Sequence, residues 1–337
     1  MKNQLLYLGN RLSKHGLNKT TIETLGLHLE HEDFSVFYAS DKKSFPFRMM
    51  DMMKAVFQYR NKVDYILIDT YSTKAFWYAF VCSQLARFFK NKYIPILHGG
   101  DLPNRLKRNP KLCRMVFANA YQNVAPSGYL KQAFESAGFT NVIHIPNSIE
   151  IEKYEFKQRE IITPKLIWVR AFASIYNPTM AVKVVAELQK IYPNATLTMV
   201  GPDKDGSLET TKLFANSINT MVNFTGKLTK EDWWKLASEH DIFINTTHFD
   251  NTPVSVMEAM TLGLPVVSTN VGGIPFLLSD NENALLVDDN DTKAMVESVQ
   301  KLIENPEKAI FLANNARNFI EQMDWHVVKK QWADLLQ

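Results

Sequence analysis

The chain has 337 residues, 46% hydrophobic and 22% charged, with a formal net charge of +3. This is the composition of an ordinary globular protein, and the length suits two domains better than one core. Two cysteines, Cys82 and Cys113, exclude a cysteine metal array and a disulfide framework and fit a reducing compartment. The longest apolar run, residues 75–89, contains Ser83, Gln84 and Arg87 and is too short to cross a bilayer.

From Gln4 the chain alternates apolar runs with amphipathic stretches. Strands are predicted at residues 4–8, 34–39, 65–69, 93–97, 122–125 and 142–145. Between them lie helices over residues 19–30, 49–59, 73–89, 105–118 and 128–137. The first ten residues lead straight into strand and glycine turn, without the pattern of a secretory leader. Asn18 or Thr20 is expected to cap the first helix. Pro146-Asn147-Ser148 and the charged stretch Glu150–Glu160 then break the rhythm and read as a linker. A second series follows, with strands at 165–169, 196–200, 222–224, 242–245, 264–269 and 285–287. Its helices fall at 178–191, 207–217 and 230–238, and a helical tail covers 293–303, 306–322 and 327–336.

Strict alternation of this kind predicts an α/β protein of two Rossmann-like, doubly wound parallel-sheet domains. The expected domains are residues 1–160 and 161–322, with the C-terminal helix, about 323–337, packing back onto the first. Ligands of such sheets bind at the carboxyl ends of the strands. The halves differ in charge: residues 1–160 carry 23 Lys+Arg against 14 Asp+Glu (+9), and residues 161–337 carry 15 against 21 (−6). A basic half meets anionic substrate or membrane, or is simply a solvated face.

The stretch Asn251-Thr-Pro-Val-Ser-Val-Met-Glu-Ala-Met260 is the most informative. Thr252 is expected as an N-cap and Pro253 as the first helical residue, with Gly263 ending the helix. The N–H groups of Val254 and Ser255 then sit at the positive end of a helix dipole, a site suited to a phosphate or diphosphate. Glu258, one turn on, is in reach of a hydroxyl on the phosphate's carrier.

The run Asp250 to Met260 resembles the E-x7-E segment of the family-four retaining glycosyltransferases, which have the GT-B fold. Leu262-Gly-Leu-Pro-Val-Val-Ser-Thr-Asn-Val-Gly-Gly273 continues the resemblance. So do the loop around Gly16, His98-Gly-Gly100, Val124-Ala-Pro-Ser127, Ile145-Pro-Asn147 and Phe224-Thr-Gly226. The resemblance implies that Glu258 contacts the donor ribose and that Val254 and Ser255 bind the diphosphate. It places Asp250 on the donor sugar in the position of the family's first glutamate, a methylene shorter, with Asn251 beside it to share the contact. Arg170 matches an arginine on the diphosphate, but the family's lysine six residues later is replaced by Tyr176, so Lys227 beyond Gly226 is a candidate substitute. Gly16 is implied as the close approach of the first domain to the donor phosphate, and His98 as a residue lining the site near the reacting sugar, with Asp101 a neighbour. The base is expected to meet main chain around Gly226–Leu228.

The resemblance therefore implies metal-independent transfer, without a cofactor, from a nucleotide-diphosphate sugar to a saccharide or lipid-linked acceptor. Configuration is retained, the leaving diphosphate taking the acceptor's proton, in surface polysaccharide or glycoconjugate synthesis. The location implied is cytoplasmic, at the inner face of the membrane. Asn104 to Lys111 and Arg114 add five cations and no anion, among them Arg105 and Arg108. Either they meet acceptor phosphate or lipid head groups, or they are a solvated helix face. Too few aromatics are interleaved there for nucleic acid. A sugar-nucleotide-binding scaffold with little activity is the alternative, motivated by Asp250 and Tyr176. A dinucleotide oxidoreductase lacks its fingerprint, since Gly9 and Gly16 form no G-x-G-x-x-G.

Overall fold

In the computed structural model, which describes residues 3–16 and 19–337, the chain alternates strand and helix twice. The first series is β1 (Gln4–Leu8), α1 (Thr21–His31), β2 (Ser35–Ala39), α2 (Phe45–Tyr59), β3 (Tyr65–Tyr71) and α3 (Phe76–Phe88). It continues through β4 (Lys92–His98), α4 (Leu102–Arg108), α5 (Pro110–Phe117), β5 (Asn123–Ala125), α6 (Gly128–Ser136) and β6 (Val142–His144). Its strands form one parallel sheet in the order β2-β1-β3-β4-β5-β6.

The second series is β7 (Lys165–Val169), α7 (Pro178–Gln189), β8 (Thr196–Val200), α8 (Ser207–Ser217), β9 (Asn223–Gly226), α9 (Lys230–Ala237) and β10 (Ile242–Asn245). Then come α10 (Val254–Thr261), β11 (Val266–Thr269), β12 (Leu285–Val287), α11 (Thr292–Glu304), α12 (Pro306–Glu321) and α13 (Trp325–Leu335). Its parallel sheet has the order β12-β11-β10-β7-β8-β9.

Both faces of each sheet are covered, which is why the strands are apolar throughout rather than alternating. In the first sheet Leu6, Leu8, Ile66 and Ile68 pack under α2 and α3. Leu5, Tyr7, Leu67 and Ile94 face the other way, onto Ile22, Leu25 and Leu29 of α1 and Trp325, Val328 and Trp332 of α13. By contacts the chain divides into residues 1–148 with 325–337, and residues 149–324.

The division therefore lies at 148/149 and not at 160/161. Ile149, Ile151 and Tyr154, among the charges of the expected linker, are buried in the second unit's core with Trp233, Val256 and Ala316. Arg159 is buried with them. Its guanidinium donates to the carbonyls of His240 and Ala237, beside the end of α9, at 2.7 and 2.9 Å. It also donates to Lys157, Leu262 and Gly263, the last two beyond α10, at 2.9, 3.3 and 2.9 Å. One arginine thus satisfies carbonyls that two helices leave open at their C-termini.

Two local expectations change, and a third is narrowed to one residue. The helix predicted over 105–118 is two helices, because the Pro110 ring forbids continuing the first past Asn109. Thr20, with the Glu23 carboxylate accepting from its N–H at 3.2 Å, caps α1; Asn18 lies outside the described residues. The N-cap of α10 is Pro253 itself, in an extended conformation (φ −71°, ψ 116°), so the helix opens at Val254 and Thr252 lies before the cap.

Candidate functional site

Strand ends of the second unit carry most of the candidates. β7 delivers Arg170, and the loop after β10 delivers Asp250 and Asn251. The Arg170 guanidinium is ion-paired to the Asp250 carboxylate, both largely buried. It lies over the Tyr176 ring, 4.1 Å from the centroid. Burial lowers the Arg170 pKa from its ordinary value, and Tyr176 partly offsets the shift. The loop carrying Tyr176 is pinned to the end of β10: Thr246 Oγ1 lies 3.0 and 2.9 Å from the carbonyls of Tyr176 and Asn177, and the His248 N–H donates to the Ile175 carbonyl at 2.8 Å.

The Asp250–Asn251 backbone is set by Gly272 and Gly273. The Gly273 N–H donates to the Asp250 carbonyl at 2.7 Å. A Cβ on Gly273 would overlap the Asn251 carbonyl, and one on Gly272 (φ 56°) would overlap that of Asp250. Here glycine is needed for close backbone approach.

α10 begins on Pro253, whose N-cap position offers no side-chain acceptor to the first turn. The first N–H groups of the helix, Val254 and Ser255 among them, are left to an outside acceptor. Val254 is exposed. Ser255 is 9% exposed, and its hydroxyl has no hydrogen-bond partner among the described residues.

Glu258, 4% exposed, is held on all sides. Tyr154 O–H donates to Oε1 at 3.1 Å, Trp233 Nε1–H donates to Oε2 at 3.2 Å, and Lys230 Nζ lies 2.8 Å from Oε1. Burial foremost, then this carboxylate, raises the Tyr154 pKa, keeping the phenol protonated as a donor. Glu258 is thus a carboxylate fixed by three donors. Gly226 adopts φ 71° with open space where a side chain would be, and Lys227 after it is exposed.

The first unit holds the remaining candidates. Gly16 closes a short 3-10 turn at φ 80°, its N–H donating to the Ser13 carbonyl at 2.9 Å. His98 ends β4, 8% exposed, with Nε2 2.8 Å from Asp69 Oδ1. Tyr7 O–H donates to the same oxygen at 3.0 Å, and Tyr71 stacks on the imidazole at 5.1 Å. Asp101 is exposed and accepts from the Asn104 amide at 2.7 Å. Arg105 is anchored: its Nε–H donates to the Ser72 carbonyl at 2.7 Å and its guanidinium lies 4.4 Å from the Phe76 ring centroid. Arg108 is exposed.

Asp69 and Tyr7, Tyr154, Trp233 and Lys230 were not singled out by the sequence. Asp69 left a signal, an acid ending the apolar run Tyr65–Ile68. Tyr154 left none, standing among charges. Among the described residues no group of three His, Cys, Asp or Glu is arranged to hold a metal ion.

The family model for glycosyl transferases group 1 matches residues 151–319, half of the chain. The chain belongs to this family. The glycosyltransferase is 27% identical over 281 residues to an uncharacterized glycosyltransferase of Methanocaldococcus jannaschii, a match covering 77% of this chain and 71% of the relative. It is 24% identical over 267 residues to the amylovoran biosynthesis glycosyltransferase AmsK of Erwinia amylovora, covering 74% and 65%. The match thus spans less than two thirds of AmsK, and under half of several other relatives. Among solved structures, Anabaena HepE in complex with UDP superposes with a TM-score of 0.76 at 19% identity, covering 100% of this chain and 99% of HepE. That likeness gives the glycosyltransferase the GT-B fold of two Rossmann-like domains.

Proposed function

We propose that this glycosyltransferase moves a sugar from a nucleotide-diphosphate donor to a saccharide or lipid-linked acceptor, with retention of configuration and without a metal, in surface polysaccharide or glycoconjugate synthesis. The observation that carries the reading is the start of α10. A helix N-terminus without a side-chain cap, bearing a buried Ser255 hydroxyl with no partner among the described residues, suits an anionic oxygen supplied from outside. HepE, of the same fold, is seen with UDP, and AmsK is named for polysaccharide synthesis; both support the reading.

On this proposal the diphosphate sits on the N–H groups of Val254 and Ser255 with Arg170, and Glu258 holds the ribose hydroxyls. Asp250 with Asn251 takes the sugar hydroxyls, and Gly226 and Lys227 border the base. His98 and Gly16 are the candidates that the first unit holds. As the glycosidic bond breaks, negative charge grows on the diphosphate, where prepositioned donors are worth about 3 kcal/mol each. The departing oxygen then takes the acceptor's proton. Asp101 and Arg108 remain candidates for the acceptor, and its lipid carrier would bring the first unit to the inner face of the membrane.

A second reading, a sugar-nucleotide-binding subunit with little turnover, is favoured by one observation: the Arg170 charge is neutralised by Asp250, with Tyr176 where the family has a cation. Thermal-shift measurements with UDP, GDP and ADP test the binding site itself. A ligand at 100 times its Kd adds about 2.7 kcal/mol. We expect one diphosphate to stabilise the protein and Arg170→Ala to lose most of the shift; no shift with any of the three would sink both readings.

A further inference from the structure

Along the first sheet, α2, α3, α5 and α6 lie on one face, opposite α1 and α13. The outer surface of α2 is unusual. Besides the buried residues Met52, Ala55 and Val56, it carries a second apolar stripe that faces solvent. Phe47 is 66% exposed, Met50 63%, Met53 37% and Phe57 56%. Their spacing of three, three and four residues puts them on one side of a helix about 22 Å long. At its C-terminal end the stripe runs on to α3: Phe57 meets Phe89 at 5.9 Å, and Phe89 meets Phe88, 78% exposed, at 5.1 Å. Contiguous exposed apolar surface of this kind marks a docking site.

The charges around it select the partner. Residues 41–62 and 72–92, which contain α2 and α3, hold ten Lys or Arg and two Asp or Glu. Of the two acids, Asp41 is paired with Lys42 at 3.2 Å and Asp51 is half-buried. Lys54 rises from within the stripe, while Lys43, Lys62 and Lys90 are exposed around it. Next along the same face, beyond α3, the α4–α5 run exposes Lys107, Arg108, Lys111 and Arg114 without an acid. Among the described residues no helix is long and apolar enough to cross a membrane.

We propose that the α2–α3 face is a docking surface for an anionic phospholipid bilayer, with Phe47, Met50, Met53, Phe57 and Phe88 entering the interface and the surrounding lysines meeting head groups. Phenylalanine and methionine side chains beside lysine are the composition of an interfacial helix. Each cation near an anionic leaflet adds attraction that salt weakens, while burial of the apolar stripe is not screened. The basic α4–α5 run, ambiguous as sequence, extends the same charged face. The inference rests on the proposed lipid-linked acceptor only for its purpose; its geometry needs neither donor nor acceptor.

Flotation of the full-length protein with phosphatidylcholine vesicles, with and without phosphatidylglycerol, tests it. The expected result is binding to the anionic vesicles alone, reduced but not abolished by high salt. The triple variant Phe47→Ser/Met50→Ser/Phe57→Ser should bind at least tenfold more weakly with an unchanged far-ultraviolet circular dichroism spectrum. Lys43→Ser/Lys54→Ser/Lys62→Ser should flatten the salt dependence. Wild-type protein that stays with the unbound fraction, or a triple variant that floats as well as wild type, overturns the proposal. So does a wild-type dimer that the triple variant turns into monomer while wild type ignores vesicles, since the occupant would then be a second copy. Because no nucleotide sugar is present, failure here leaves the transfer reaction untouched, and failed transfer leaves this result standing.

Discussion

At the scale of single residues, the tension in the proposed donor site lies between Arg170 and its surroundings. A buried guanidinium needs a counter-charge, and Asp250 supplies it. A diphosphate arriving at Arg170 must therefore compete with a carboxylate that the proposal also gives to the sugar. Restoring a cation should ease that competition. Tyr176→Lys is expected to tighten UDP binding by about tenfold, roughly 1.4 kcal/mol, read by titration calorimetry; weaker or equal binding would mean that the tyrosine is not a handicap. Glu258 gives a second test. Its removal strands the Tyr154 hydroxyl and the Trp233 N–H inside the second unit's core, at about 1–3 kcal/mol for each unpaired group. Glu258→Ala should lower the urea midpoint and abolish nucleotide binding together, whereas Tyr154→Phe should lower the midpoint with a smaller loss of binding. Of these residues Asp250 and Glu258 stand out in the sequence through the spacing of the motif, and Arg170 through its place after the strand Leu166–Val169. Tyr154 and Asp69 do not, because their roles come from contacts between residues 104 and 29 positions apart.

Among elements, α10 is the one the proposed donor site depends on, and it is held at both ends by unlike means. Its start is shaped by Pro253 and by the close approach of Gly272 and Gly273; its end is held through Arg159. Burial pushes the Arg159 guanidinium down to about 10, still charged at neutral pH. Arg159→Ala takes the guanidinium donors away from carbonyls around two helix ends and should cost about 3–5 kcal/mol, with Arg159→Lys a poor rescue, since one ammonium cannot span five carbonyls. Chemical denaturation followed by tryptophan fluorescence checks both. A loss below about 1 kcal/mol would show the clamp to be dispensable. The strands and most helices were readable because doubly covered parallel strands make uninterrupted apolar runs. Arg159 lies in the stretch that reads as a linker, since a sequence does not show that a charge is buried against carbonyls. The break between α4 and α5 was announced by Pro110, yet helical periodicity on both sides hid it.

For the molecule as a whole, two histidines give stability a pH dependence. His240 is buried, with Nδ1 2.8 Å from the Leu236 carbonyl and Nε2 2.9 Å from Thr198 Oγ1. Burial lowers its pKa below the ordinary 6.5, and burial likewise lowers that of His144. Between the depressed folded values and 6.5 the unfolded chain binds more protons, so stability is full above that window and falls as the pH drops through it. Melting curves between about pH 7.5 and pH 5, roughly the range of histidine titration, should show this decline, and His240→Gln should flatten it. The two-unit organisation was legible from the repeated alternation, while its boundary was displaced because Ile149, Ile151 and Tyr154 bury themselves among charges. The central claim, transfer from a nucleotide-diphosphate sugar, is tested most directly by incubating purified protein with UDP-, GDP- and ADP-sugars and a lipid extract and following nucleoside diphosphate release. At least one donor should be consumed by wild type and not by Glu258→Ala, its sugar appearing on an acceptor in the donor's anomeric configuration. A donor that binds tightly and is never consumed, across the whole panel, would contradict it.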